Sequence, residues 1–185
     1  MAGNVLLQTE HAGIYERIQA FRFDEGNPTF PFVSRLAREN GWTHSYAART
    51  ISEYRRFVAL ALVAGHPVSP SDPVDQVWHL HLQYTESYWK RFCGEILGSP
   101  LHHEPTRGGK TEKDKFTSWY AATLRSYRQY FGEDAPRDIW PDGHTRFANI
   151  HFERVNRNMN FVVSKKWTAA AACLVLAGTL LSWLL

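Results

Sequence analysis

Apolar residues recur along this chain at helical spacing, and no run of alternating β-branched residues reaches strand length. The pattern predicts a first helix from Val5 to Phe21, with Leu6, Ile14, Ile18 and Phe21 as its apolar stripe. After a Gly26-Asn27-Pro28 turn, a short helix runs from Phe32 to Glu39 and stops at Asn40-Gly41. Thr43 then reads as the N-cap of a helix reaching Ala64, with Tyr46, Ile51, Tyr54, Phe57, Leu60 and Ala61 inward and Gly65 as its stop. Beyond the proline-punctuated loop from His66 to Ser71, Asp72 reads as N-cap and Pro73 as the first residue of one long helix to Leu97, ended by Gly98. A loop from Ser99 to Gly109 precedes a helix from Lys113 to Phe131, with Phe116, Trp119, Tyr120, Leu124 and Tyr127 inward. The stretch from Asp134 to His151 reads as irregular, with a turn at Trp140-Pro141-Asp142-Gly143. The expected fold class is all-α: a single compact helical domain of about five helices plus a C-terminal transmembrane helix.

The transmembrane expectation rests on the run from Thr168 to Leu185, which carries no charge. Eighteen helical residues rise about 27 Å, close to the hydrocarbon thickness of a bilayer. Trp167 and Trp183 stand near the two ends, where an aromatic belt places such residues. Arg154, Arg157, Lys165 and Lys166 precede the run, which by the positive-inside rule keeps the folded domain cytoplasmic. The expected organisation is a cytoplasmic helical domain over residues 1–153, a basic juxtamembrane linker over 154–166 and a single-pass anchor over 167–185, with the lipid bilayer as partner.

Composition narrows the function. Net charge is a mild +3, with basic and acidic residues interleaved, so no nucleic-acid partner is expected. Aromatic residues make up 14% of the chain, including seven tryptophans, which excludes a disordered chain and points to an aromatic core. The two cysteines, Cys93 and Cys173, fall in the globular part and the apolar tail, so a disulfide framework is not expected. The residues before Gln19 lack the basic start and unbroken apolar run of a secretory signal.

Candidate chemistry concentrates in the segment Pro73 to Tyr88 and in His102-His103. On a wheel of about 100° per residue, Trp78, Leu82, Trp89, Phe92 and Ile96 form a core stripe. Asp75 and His79 share one flank, one turn apart, and His81 and Tyr88 share the other. His79 and His81 point about 160° apart, so a regular helix cannot aim both at one ion. Asp75 can fix the tautomer of His79, or the two can ligate one metal, with His102 or His103 folding back to complete the set. The commoner reading of histidines near an apolar face is a structural network, with Asp75 capping or orienting His79 and His81 hydrogen-bonded in the aromatic core. Cys93 lies about 21 Å along the same helix from His79 and cannot pair with it as nucleophile and base.

The pattern Asp75, Trp78, His79, His81 and Tyr88, with His102 or His103 as a later histidine, resembles the signature of the glycine-rich domain-containing protein-like family. That resemblance implies a real domain and marks Trp78, His81 and Tyr88 as motif residues. It supplies no reaction. Two readings follow: a membrane-tethered interaction or scaffold module with a protein partner, or a metal-dependent enzyme or metal-binding protein holding zinc or iron at Asp75, His79 and His102 or His103.

Overall fold

The structure, a computed structural model, describes residues 10–148, 155 and 159–163. The chain divides into two units, Met1–Ile150 and His151–Leu185. Among the described residues there are seven helical segments and no strand. They are α1 (Ala12–Ala20), α2 (Phe32–Asn40), α3 (His44–Val63), α4 (Asp72–Gln83), a π-helix (Glu86–Leu97), α5 (Lys110–Phe131) and α6 (Gly143–Ala148).

Local chemistry sets most of the boundaries. Thr43 caps α3 by accepting the Tyr46 N–H, and Gly41, just before it, takes the left-handed conformation that ends α2. Ser71, not Asp72, is the N-cap of α4: its hydroxyl accepts the Val74 N–H at 3.4 Å. Asp72 and Asp75 then lie in the first turn, where acidic groups favour the helix dipole. Helix α3 is the spine, packing against α1, α2, α4 and α5. It buries Tyr54, Phe57, Val58 and Leu60 against Phe32, Leu36, Val77, Trp78 and Tyr127 in one core.

The long helix expected from residue 72 to 97 is two helices. The break is at Tyr84, whose ψ of 62° leaves the helical region. Its side chain is engaged by α2: Arg35 Nε donates to the Tyr84 hydroxyl at 2.9 Å, and the ring meets Phe32 edge-on at 5.3 Å. Those contacts hold Tyr84 off the helical path. The segment that follows winds i→i+5, a rare geometry that often marks functional sites. The break and the wider winding defeat the wheel beyond residue 83. Phe92 and Tyr88 are buried as their apolar character demands, but Trp89, expected in the core stripe, is 42% exposed. Leu82 and Ile96 are half-buried at the edge of the core. Similarly, Trp119, Phe116 and Leu124 of α5 are half-buried, while Tyr120 and Tyr127 fill the interior. The stretch from Asp134, expected to be irregular, contributes buried Ile139 and Trp140 and includes the short helix α6.

Among the described residues, no helix is long and apolar enough to cross a membrane. The run from Thr168 to Leu185 and residues 5–9 of the predicted first helix lie outside the described residues.

Candidate metal centre

The flank of α4 that carries Asp75 and His79 is met by the loop after the π-helix. His103 Nε2 lies 2.8 Å from Asp75 Oδ1 and 3.1 Å from His79 Nε2, and His79 Nε2 lies 3.7 Å from Asp75 Oδ2. One ligand atom from each residue thus falls within 4.8 Å of the others. Tetrahedral ligands at about 2.0–2.2 Å from zinc stand about 3.3–3.6 Å apart, and the three observed separations bracket that range. Two imidazole nitrogens and a carboxylate converge here, a set that either a shared proton on His103 Nε2 or a cation can bridge. The Asp75 and His103 side chains are mostly covered, 19% and 18% exposed, whereas His79 is half exposed. The centre therefore has a protein side and an open side. Asp72 lies close enough to feel the charges of Asp75 and His79; burial raises its carboxyl above the ordinary value, and Arg146 opposes that rise.

The structure chooses between the paired loop histidines. His103 turns to Asp75, and its ring meets the Trp78 indole edge-on at 4.5 Å. His102 turns elsewhere, 5.8 Å from the Trp89 ring, and does not join the cluster. Sequence spacing carries no signal for this choice, because it depends on how the loop is fastened.

Trp78 and Tyr88 do the fastening. Trp78 Nε1–H donates to the Tyr88 hydroxyl at 2.8 Å, and that hydroxyl donates to the Leu101 carbonyl, two residues before His103. Tyr88 is fully buried, and burial raises its hydroxyl well above the usual tyrosine range. The hydroxyl is thus a fixed proton donor. The part played by Leu101 is invisible in the sequence, since it acts through its backbone.

His81 takes no part in the cluster. It is fully buried, with rings of Phe23, Phe92 and Tyr88 at 4.7, 5.0 and 5.0 Å. Its Nδ1 lies 3.2 Å from the Tyr54 hydroxyl and its Nε2 3.5 Å from Ser87 Oγ. Ser87 spends its proton on the Phe23 carbonyl, so it accepts from His81 Nε2–H, and Nδ1 accepts from Tyr54. Burial, helped by the charge of Arg91, holds the ring down to about 3, so His81 is a neutral core residue.

The sequence of residues 15–129 matches the UCP032817-like family, a span from within α1 to within α5 that contains the three converging residues. The chain belongs to the UCP032817-like family. This corrects the resemblance to the glycine-rich domain-containing protein-like family, which rested on Asp75, Trp78, His79, His81 and Tyr88. A few residues on two short helices do not outweigh a match over most of the folded domain. The UCP032817-like family is uncharacterised and brings no reaction with it. No curated protein and no solved structure matches the chain.

Proposed function

We propose that this UCP032817-like domain binds one divalent transition metal, zinc or iron, through Asp75, His79 and His103. The observation that carries this reading is the position of His103 Nε2, within 3.1 Å of both the Asp75 carboxylate and His79 Nε2. Two imidazoles and one carboxylate are the donor set of many catalytic zinc sites and of non-haem iron sites. Such sites keep coordination positions free for water or substrate, and the half-exposed His79 leaves that side of the centre open. A closed structural site would bury all its ligands. The reading thus favours a site with a reactive face over a metal that only holds the fold.

The experiment is elemental analysis and Co(II) titration of the full-length protein. The wild type is expected to take up one metal per chain. His79→Ala, His103→Ala and Asp75→Asn each lose it while remaining folded, and His102→Ala retains it. A wild-type protein with no stoichiometric uptake of zinc, iron or cobalt ends this reading.

The tethered-module reading keeps one supporting observation. Met159, Phe161, Val162 and Val163 are 81%, 100%, 67% and 60% exposed, and they lead into the uncharged run that begins at Thr168. Exposed apolar side chains, then Lys165-Lys166, then an apolar run suit a bilayer surface better than water. We propose accordingly that the C-terminal run holds the domain at a membrane.

A further inference from the structure

The π-helix carries a second grip on the loop. Cys93 is buried, and its thiol lies close enough to the Leu101 backbone and the Tyr88 hydroxyl for both to oppose the upward push of burial. Leu101 is therefore held at its carbonyl by Tyr88 and flanked by the buried Cys93 of the same helix. Tyr88 and Cys93 are five residues apart. In an α-helix, five residues turn about 500°, which leaves the two side chains about 140° apart. In a helix wound i→i+5 they stack on one face. The unusual winding is what lets both reach the same residue.

We infer that the π-helix positions the metal ligand His103, with Tyr88 and Cys93 as positioning residues that act through Leu101. The same grip explains why His103, and not His102, meets Asp75. Leu101 and His103 are partly buried and His102 between them is exposed, so alternate side chains of this stretch face the protein. Fixing Leu101 against the π-helix sends His103 toward α4 and His102 toward Trp89. Trp78 completes the arrangement: it donates to Tyr88 and lays its ring edge-on to His103, so the motif's aromatic residues aim the ligand and do not touch the metal. The metal readout of this inference rests on the reading above, but the placement of His103 does not.

The test compares Tyr88→Phe and Cys93→Ala with Tyr120→Phe in the full-length protein. Tyr120 is another buried tyrosine, and its hydroxyl donates to the Pro141 carbonyl at 2.7 Å, so its loss has a similar structural cost. Two quantities are measured: the nuclear Overhauser contact between the Trp78 indole and the His103 ring in metal-free protein, and Co(II) affinity. Tyr88→Phe is expected to lose the ring contact and to weaken Co(II) binding by about 10–100-fold, the usual effect of losing an outer-shell partner. Tyr120→Phe should lower thermal stability without changing either quantity. Retention of both quantities in Tyr88→Phe and Cys93→Ala overturns the inference. Should Tyr88→Phe not fold, Cys93→Ala decides by the same two measurements. Should the wild type bind no Co(II), the ring contact alone decides: its loss in Tyr88→Phe but not Tyr120→Phe upholds the positioning role while the metal reading falls.

Discussion

Two buried polar residues in this core show how differently the interior treats ionisable groups. His81 is neutralised by burial and made useful as a hydrogen-bonding wedge between Tyr54 and Ser87. Glu53 is buried yet faces a partly compensating set: the Tyr127 hydroxyl and Trp140 Nε1–H donate to it at 2.9 Å each, and Arg56 stands 3.6 Å away. Burial outweighs these partners and raises the Glu53 carboxyl above its ordinary 4.5. The folded state then binds this proton more tightly than the unfolded chain. Its contribution to stability is full below the unfolded value and is lost as pH rises through the higher folded value. Glu53→Gln is neutral throughout and lacks that loss. In urea melts from about pH 4 to 7, stability should therefore shift in favour of Glu53→Gln relative to wild type as pH rises. A difference that stays constant across that range would show the folded carboxyl to be unshifted. At this scale the candidate site was half legible. Asp75 and His79 follow from one-turn spacing on α4, and the separation of His81 from His79 follows from the wheel. The choice of His103 over His102 does not, since it is decided by Leu101, far along the chain from α4.

Among the elements, most boundaries written in local chemistry were readable, with the N-cap of α4 displaced by one residue to Ser71, and the one written in tertiary contacts was not. Thr43 before α3, Gly41 after α2, and Gly98 and Gly132 after the later helices announce their roles through capping and left-handed backbone. Tyr84 carries no such signal: it breaks its helix because Arg35 and Phe32 of α2 take hold of its side chain. Once the break and the i→i+5 winding are in place, a wheel drawn for an α-helix misassigns the following residues. The two tryptophans of the expected stripe consequently separate in energetic weight. Trp78 packs on Phe57 at 5.4 Å and on His103 and is 6% exposed, so Trp78→Ala should cost about 3–5 kcal/mol. Trp89 is 42% exposed, and Trp89→Ala should cost less than about 1 kcal/mol. Chemical denaturation of the two variants measures both, and equal losses would return Trp89 to the core and with it a continuous α-helix.

At the scale of the molecule, the unit Met1–Ile150 holds the aromatic core, the candidate centre and the matched family region, while the unit His151–Leu185 contains the apolar run. The proposed membrane role and the proposed metal role thus fall on different units and can be separated. A chain ending at Lys166 should wash from membranes in carbonate, whereas the full chain should stay in the pellet. Equal extraction of both would remove the tether. The all-α class was readable because helical periodicity pervades the folded part; the count of about five helices fell short of the seven segments because one break and one short helix lack a periodic signature.

The winding of Glu86–Leu97 also bears on how this segment can change over time. Most helices tolerate substitution better than a change in length, since losing a residue rotates everything downstream. Here Tyr88 and Cys93 share a face only because five positions separate them under i→i+5 winding. Excising one exposed position between them, such as Lys90, would leave them four apart, which is the stacking interval of an ordinary α-helix. A single-codon deletion, elsewhere among the more damaging events a helix can suffer, would here trade a rare winding for a common one over that interval and keep the two buried side chains on one face.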